Sequence, residues 1–326
     1  MSFKSAAFGL FQRFLPARYL VQKAGIQILL PYYHTISNET LQHVEGLYPA
    51  PTVARFEDDL DFILQNFEPV SLQELFEIIQ TGNQPRKKVF HLTFDDGLRE
   101  VYDFVFPILK SRGISATTFL NPDFVDNKDL SFRFKGSILA ERMKGGGYSS
   151  DVQERARKIV SATQISWREA LKVPYKNREL LDDVAALLDI NFHDYAERYR
   201  PYMAASEISE MADAGFTFGG HSLDHPFYRE LSVDEQLEQT VTSVNFVQSV
   251  FGQELRTFAF PFTDEGISEA FFEKAFAGNE KLDLTFGSDG SPLSHPPTHL
   301  RRFAMDASND DGTTVIKKML LKKILF

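Results

Sequence analysis

The chain has 326 residues, 43% hydrophobic and 25% charged, close to globular averages and unlike a disordered, collagen-like or membrane-spanning protein. A formal net charge of −10 argues against nucleic acid as a partner, because binding to a phosphate backbone rests on excess Lys and Arg. The sequence contains no cysteine, which excludes disulfides, thiol nucleophiles and cysteine metal sites and leaves His, Asp and Glu as the ligands of any metal.

At the N-terminus, the apolar stretch after Lys4 is broken by Gln12 and Arg13, and no small-residue cleavage site follows. A secretory signal is therefore not expected, and the expected location is the cytoplasm. No run approaches the roughly 20 apolar residues that span a bilayer. Both ends are nonetheless basic and apolar. Phe3, Leu10, Phe11 and Phe14 accompany Lys4, Arg13 and Arg18, and Val315 to Phe326 interleaves four lysines with eight apolar residues. Two readings stand for these ends: helices docked on the domain with lysines snorkelling to water, or peripheral contact with an anionic membrane surface.

Short apolar runs bounded by turn residues predict buried strands at Ile26 to Tyr33, Val89 to Phe94, Ala116 to Leu120, Phe216 to Phe218, Thr257 to Phe262 and Leu282 to Phe286. Helical patterns lie between them. Ser71 with Glu74 opens a helix at Leu72, and Ser232 with Glu235 opens one that runs through Phe251, each as a capping box. Leu98 to Arg112 reads as a helix ending at Gly113, kinked or shortened by Pro107. From about 127 to 205 the periodicity is helical without a convincing strand, with segments Asp151 to Ala162, Trp167 to Lys172 and Arg178 to Leu188 and a loop at Gly145 to Gly147. Strands alternating with helices predict a largely parallel sheet or barrel carrying a helical insertion.

Chemistry concentrates at two strand ends. Thr93-Phe94-Asp95-Asp96-Gly97 closes one run with adjacent carboxylates, at the position where α/β folds gather ligands and catalytic groups. An Asp-Gly turn capping the next helix is the plain alternative. Behind the run Phe216 to Phe218 comes Gly219-Gly220-His221-Ser222-Leu223-Asp224-His225-Pro226. Two imidazoles and one carboxylate make three protein ligands and leave a position open, as a catalytic metal requires. The glycines allow the backbone to approach closely.

Taken together, TFDDG followed by G-H-S-x-x-H-P resembles the polysaccharide deacetylase family, the NodB homology domain. Pro31 to Ser37 (PYYHTIS) is similar to the opening strand of many members, and Phe258 to Phe262 (FAFPF) to their aromatic-proline motif. The resemblance implies a distorted (β/α) barrel spanning residues 1–326 as one catalytic domain; the helical insertion at about 127–205 departs from the minimal domain, and the pattern of the last residues gives an amphipathic basic tail at about 313–326. It also implies a divalent metal, with zinc first among the candidates, and the removal of acetyl groups from sugars. Carried over by motif position, Asp95 becomes the general base, Asp96, His221 and His225 the metal ligands, and Phe260, Pro261 and Phe262 the substrate-contacting segment.

Two parts of the family pattern are missing. Ala259 and Phe260 stand where the arginine that orients the base is often found, and Arg256 lies too early. Arg301 or Arg302 could supply the charge from another strand, with Arg302 taken as the base-orienting residue. Nothing after His299 matches the C-terminal leucine-x-histidine motif that carries the general acid. His34 is the substitute, since it follows an apolar run and a barrel makes first and last strands neighbours. His295 and His299 look like part of an irregular loop, and His43, His91 and His193 have no motif support.

The expected function is metal-dependent hydrolysis of a non-peptide carbon–nitrogen bond, removing the N-acetyl group of a sugar or glycan intermediate. A sugar nucleotide or lipid-linked intermediate suits the expected cytoplasmic location. Two alternatives stand beside it: a non-catalytic carbohydrate-binding or assembly protein on the same barrel, and a deformylase of a lipid-linked formamido sugar.

Overall fold

A computed structural model describes residues 16–160, 167–288 and 296–325. Its centre is a closed barrel of seven parallel strands, as the alternation of strands and helices predicts. Around the barrel the strands run β2 (Pro31–Tyr33), β5 (Leu92–Phe94), β6 (Ala116–Leu120), β7 (Thr217–Gly220), β8 (Thr257–Ala259), β9 (Leu284–Ser288) and β10 (His299–Ala304), with β10 closing back onto β2. A second, three-stranded parallel sheet holds β1 (Ile28–Leu29), β4 (Val89–Phe90) and β3 (Glu68–Pro69).

Two predicted runs are each divided between these sheets. Ile28 and Leu29 pair with Val89 and Phe90 in the small sheet, while Tyr32 and Tyr33 pair with Thr93 and Phe94 in the barrel. The breaks fall at Leu30 and His91. His91 is 1% exposed, with Nδ1 2.8 Å from the Val70 carbonyl and Nε2 2.8 Å from Thr117 Oγ1, so a buried imidazole with both nitrogens engaged marks the junction.

The run from Thr257 stops as a strand at Ala259, because Phe260 N–H still donates to the Phe286 carbonyl at 3.0 Å but Pro261 has no N–H to continue the ladder. Pro107 is accommodated differently from a simple kink. A π-helical turn, Val101–Val105, precedes the α-helix Phe106–Ser111, so the helix restarts where the missing donor costs nothing. Both predicted capping boxes form, at Ser71 with Glu74 and at Ser232 with Glu235. A correction concerns His299, read from sequence as irregular loop: it opens β10 and is buried, its Nδ1 2.8 Å from Thr285 Oγ1 and its Nε2 3.1 Å from Asp264. His295 lies outside the described residues.

Between β6 and β7 the described chain consists of helices joined by loops, without a strand. Phe132–Lys144, Ser150–Val160, Leu180–Leu187 and Phe192–Tyr199 are α-helices, and Trp167–Lys172 is a 3-10 helix. They bury a separate apolar cluster that includes Phe134, Leu139, Leu181, Val184 and Phe192 and reaches Leu98 and Tyr202 on the barrel side. At the C-terminal end, Gly312–Leu325 forms a helix that packs on the helices Ala17–Lys23 and Val53–Leu64 and buries Ile316, Leu320 and Leu321. Its start is fixed by Gly312, whose N–H donates to Asp59 at 2.8 Å, where a Cβ would lie 2.2 Å from that carboxylate. Among the described residues no helix is long and apolar enough to cross a membrane.

Candidate active site

One end of the barrel collects the chemistry. Tyr33 in β2 is followed by His34, Phe94 in β5 by Asp95 and Asp96, Leu120 in β6 by Asn121, and Gly220 in β7 by His221. All of these strands are parallel, so their C-terminal ends meet on one face. A cavity of about 330 Å3 opens there and is lined by His34, Asp95, Asp96, His221, His225 and Arg302.

Asp96, His221 and His225 each offer one ligand atom within 4.8 Å of the other two. Asp96 Oδ1 lies 3.5 Å from His221 Nε2 and 3.1 Å from His225 Nε2, is buried, and accepts no hydrogen bond. His221 Nδ1 is 2.8 Å from the Ala259 carbonyl, a contact that makes Nδ1 the donor and turns the Nε2 lone pair into the cavity. Burial, the largest influence, holds the His225 imidazole below its usual pKa despite Asp96, so this ring is neutral at pH 7. An orphaned carboxylate oxygen facing two imidazole nitrogens fits a divalent cation with nitrogen and oxygen ligands.

Backbone conformation brings these groups together. Asp96, His225 and Phe262 line the cavity with left-handed φ of 69°, 63° and 58°, and Ser222, φ 67°, accepts the His225 N–H on its hydroxyl at 3.0 Å. Non-glycine residues in this region cost roughly 1 kcal/mol or more each and persist only where the surroundings hold them. Asn121 does part of that holding, donating to the carbonyls of His221 and Ser222, the latter at 3.1 Å. Gly220 permits the close approach of β7 to the helix Val233–Phe251, since a Cβ there would lie 2.5 Å from Ser243 Oγ and 3.0 Å from Val244 N.

Asp95 does not face the same partners. Arg302 grips it with Nη1 to Oδ1 at 2.7 Å and Nη2 to Oδ2 at 2.9 Å, and Nη1 also reaches Thr93 Oγ1 at 3.0 Å. The guanidinium lies over the rings of Tyr32, Phe119 and Phe286 at 4.5, 5.2 and 5.8 Å. Burial by itself would raise the Asp95 pKa, but Arg302, with His221 and His34, more than offsets it and keeps the carboxylate ionised below its ordinary pKa. Arg302 and Arg301 are neighbours on β10, and the two-residue period of a strand sends the first inward and leaves the second exposed.

His34 pairs with Asp306 through Nδ1, at 3.1 Å from Oδ2, while its backbone N–H donates to the same oxygen at 2.7 Å. Burial pulls the imidazole pKa down, but the Asp306 charge and hydrogen bond outweigh it and raise the value to about 9. The ring stacks on Tyr48 at 4.3 Å, and Tyr48 donates to Asp96 Oδ2 at 3.4 Å. Of the aromatic-proline segment, Phe260 and Phe262 line the cavity, Phe262 edge-on to His225 at 4.4 Å; Pro261 is buried and is not part of the lining. His43 is buried beside Phe134, and His193 is exposed on a helix surface.

Sequence reasoning passed over Asp306, Tyr48, Asn121 and Arg133. Asp306 follows β10 closely, the same strand-end signal that marked Asp95, but no apolar run gave the strand of Arg301 and Arg302 its bounds, so its end was not located. Tyr48, in a loop, carried no signal. Arg133 comes from the insertion and lies over Phe132, Phe227 and Phe262 at 5.3, 5.1 and 5.5 Å, donating to the Leu171 carbonyl and lining the same cavity.

The polysaccharide deacetylase family model matches residues 82–275, more than half of the chain. No curated protein matches the sequence. Among solved structures, the chain is similar to IcaB from Ammonifex degensii, with TM-score 0.57 and 16% identity over 91% of this chain and 98% of that one. It is also similar to the Streptococcus pyogenes deacetylase PplD in complex with acetate, TM-score 0.55 and 16% identity over 90% and 97%. A third likeness is to a de-N-acetylase from Aggregatibacter actinomycetemcomitans, TM-score 0.52 and 11% identity over 89% and 99%. These likenesses are in fold.

Proposed function

The chain belongs to the polysaccharide deacetylase family and is a hydrolase of non-peptide carbon–nitrogen bonds, and from that membership we propose that it removes the N-acetyl group of a sugar bearing a phosphate. The observation that carries the catalytic reading is the pair of opposed, separately tuned groups around one cavity: Asp95 held ionised by Arg302 and His34 held protonated by Asp306.

Asp96, His221 and His225 would hold a divalent cation, zinc being the first candidate for two imidazoles and a carboxylate. When bound, such an ion polarises the acetyl carbonyl and acidifies water. Asp95 acts as the general base: it takes the proton of the attacking water, and the Arg302 fork fixes which way its oxygens point. His34 acts as the general acid, delivering its proton to the departing sugar amine, while Asp306 sets the ring orientation and keeps the proton on it at neutral pH. Tyr48, stacked on His34, fixes the ring from its face.

Arg133 supports the choice of a phosphorylated substrate. It lines the cavity, lies over Phe132, Phe227 and Phe262, and makes no ion pair among the described residues; burial lowers its pKa despite the Glu230 charge, so an anionic group would complete it. A sugar nucleotide or a lipid-linked sugar phosphate has that charge beside the N-acetyl sugar. The alternative of a non-catalytic binding protein rested on a missing arginine and a missing histidine, and it loses support with Arg302 on Asp95 and His34 beside the metal cluster.

The test is acetate and formate release from a panel of N-acetyl and N-formyl sugar phosphates by metal-loaded protein, with Asp95→Asn as control. Acetate release lost in the control supports the proposal. Formate release alone would replace it with deformylation, and metal binding without any release would restore the binding-protein reading.

A further inference from the structure

The charge of this chain is divided between two regions. Residues 1–38 and 312–326 hold eight Lys and Arg and no Asp or Glu, which leaves 27 basic and 45 acidic residues, a net charge of −18, on residues 39–311. The structure brings the described parts of the two basic regions together: the helices Ala17–Lys23 and Gly312–Leu325 pack on each other. Beside them lies a groove of about 380 Å3, with apolar Ile26, Ile28 and Met319 and cationic Arg301, Lys322 and Lys323 among its lining residues. Both arginines of β10 border it, and Arg301 is the exposed one, facing out of the barrel where the Arg302 side chain turns in to Asp95.

The packed side of the C-terminal helix buries Ile316, Leu320 and Leu321, with Val315 and Met319 partly buried against the same core. Its outer side keeps more apolar surface than docking explains. Tyr19, Ile324 and Leu325 are 46%, 39% and 58% exposed and make up half of the six large hydrophobic side chains exposed among the described residues. Scattered singly, such residues mean nothing. Three on two adjoining helices, flanked by exposed Arg18, Lys23, Lys318, Lys322 and Lys323, have the composition of an interfacial surface.

We propose that this face seats on an anionic lipid bilayer, with a lipid phosphate held in the groove by Arg301, Lys322 and Lys323. The charge division orients the molecule, since the acidic remainder is repelled by the surface that attracts the basic face. Free phosphate shares the headgroup chemistry but leaves the apolar flank of Tyr19, Ile324 and Leu325 without a partner, which favours the bilayer.

Co-sedimentation of the full, metal-loaded chain tests this with vesicles of phosphatidylcholine alone and with about one-third phosphatidylglycerol. Binding is expected only with the anionic vesicles and should be lost at about 0.5 M salt. Lys322→Gln with Lys323→Gln should weaken it about fivefold per lysine, while the melting temperature and metal content stay unchanged because both side chains are exposed. Equal binding to neutral vesicles, no binding, or undiminished binding by the variant would overturn the proposal. Displacement by inorganic phosphate too dilute to screen charge would reassign the groove to a soluble anion and also overturn it. None of these readouts depends on deacetylation, so failure here leaves the catalytic reading standing.

Discussion

Arg302 and Asp95, 207 positions apart in the chain, meet as a fully buried bidentate pair at 2.7 and 2.9 Å. Removing only the cation leaves a buried carboxylate uncompensated, so Arg302→Met should cost about 3–5 kcal/mol of folding stability. Adding Asp95→Asn should return much of that stability without returning turnover. Chemical denaturation and acetate release measured on the same three proteins check both halves. If the double variant were no more stable than Arg302→Met, the pair would not be the source of the loss.

Metal content gives the next expectation. Protein purified without chelator should hold about one equivalent of divalent metal, and His221→Ala with His225→Ala should hold none while keeping its circular dichroism. Saturating metal should also raise the melting temperature of the wild type, since a ligand that binds only the folded state stabilises it by mass action. The double variant should show no such rise.

His34 makes a pH signature. Its pKa rises from 6.5 in the unfolded chain to about 9 in the fold, chiefly because Asp306 outweighs the cost of burial. The stability this contributes is therefore complete below pH 6.5 and lost as pH climbs through about 9. Asp306→Asn should flatten that decline in a series of melts. In kinetics, the alkaline limb near pH 9 should move to lower pH in the same variant, and His34→Ala should lower kcat by about 100-fold or more with metal retained. Normal turnover in His34→Ala would remove it as the acid.

Arg133 should discriminate substrates by charge. Arg133→Gln is expected to raise KM about tenfold or more for a phosphorylated N-acetyl sugar, the value of one charge-assisted hydrogen bond. The uncharged N-acetyl sugar should be unaffected. Equal losses on both would make Arg133 a packing residue of the Phe132, Phe227 and Phe262 cluster.

Local signals in the sequence were sufficient for what depends on a few consecutive residues. Six apolar runs announced eight barrel or small-sheet strands, the Ser71 and Ser232 boxes announced two helix starts, and the TFDDG and GHSLDHP motifs announced the acids and imidazoles that share the cavity. What escaped depended on strand order. β10 begins at His299 and carries two arginines, so its alternation of inward Arg302 and outward Arg301 has no apolar rhythm until the barrel closes around it. Asp306 gains a partner only because closure sets β10 beside β2 and hence beside His34.

The choice between Arg301 and Arg302 for Asp95, the division of two apolar runs between two sheets, and the packing of the helix Ala17–Lys23 on Gly312–Leu325 are likewise decisions of tertiary structure. The sequence determined which chemical groups this protein has and at which strand ends they stand, because those follow from local pattern. Which group faces which was decided by closing the barrel, because charge pairs and burial depend on distances across the fold.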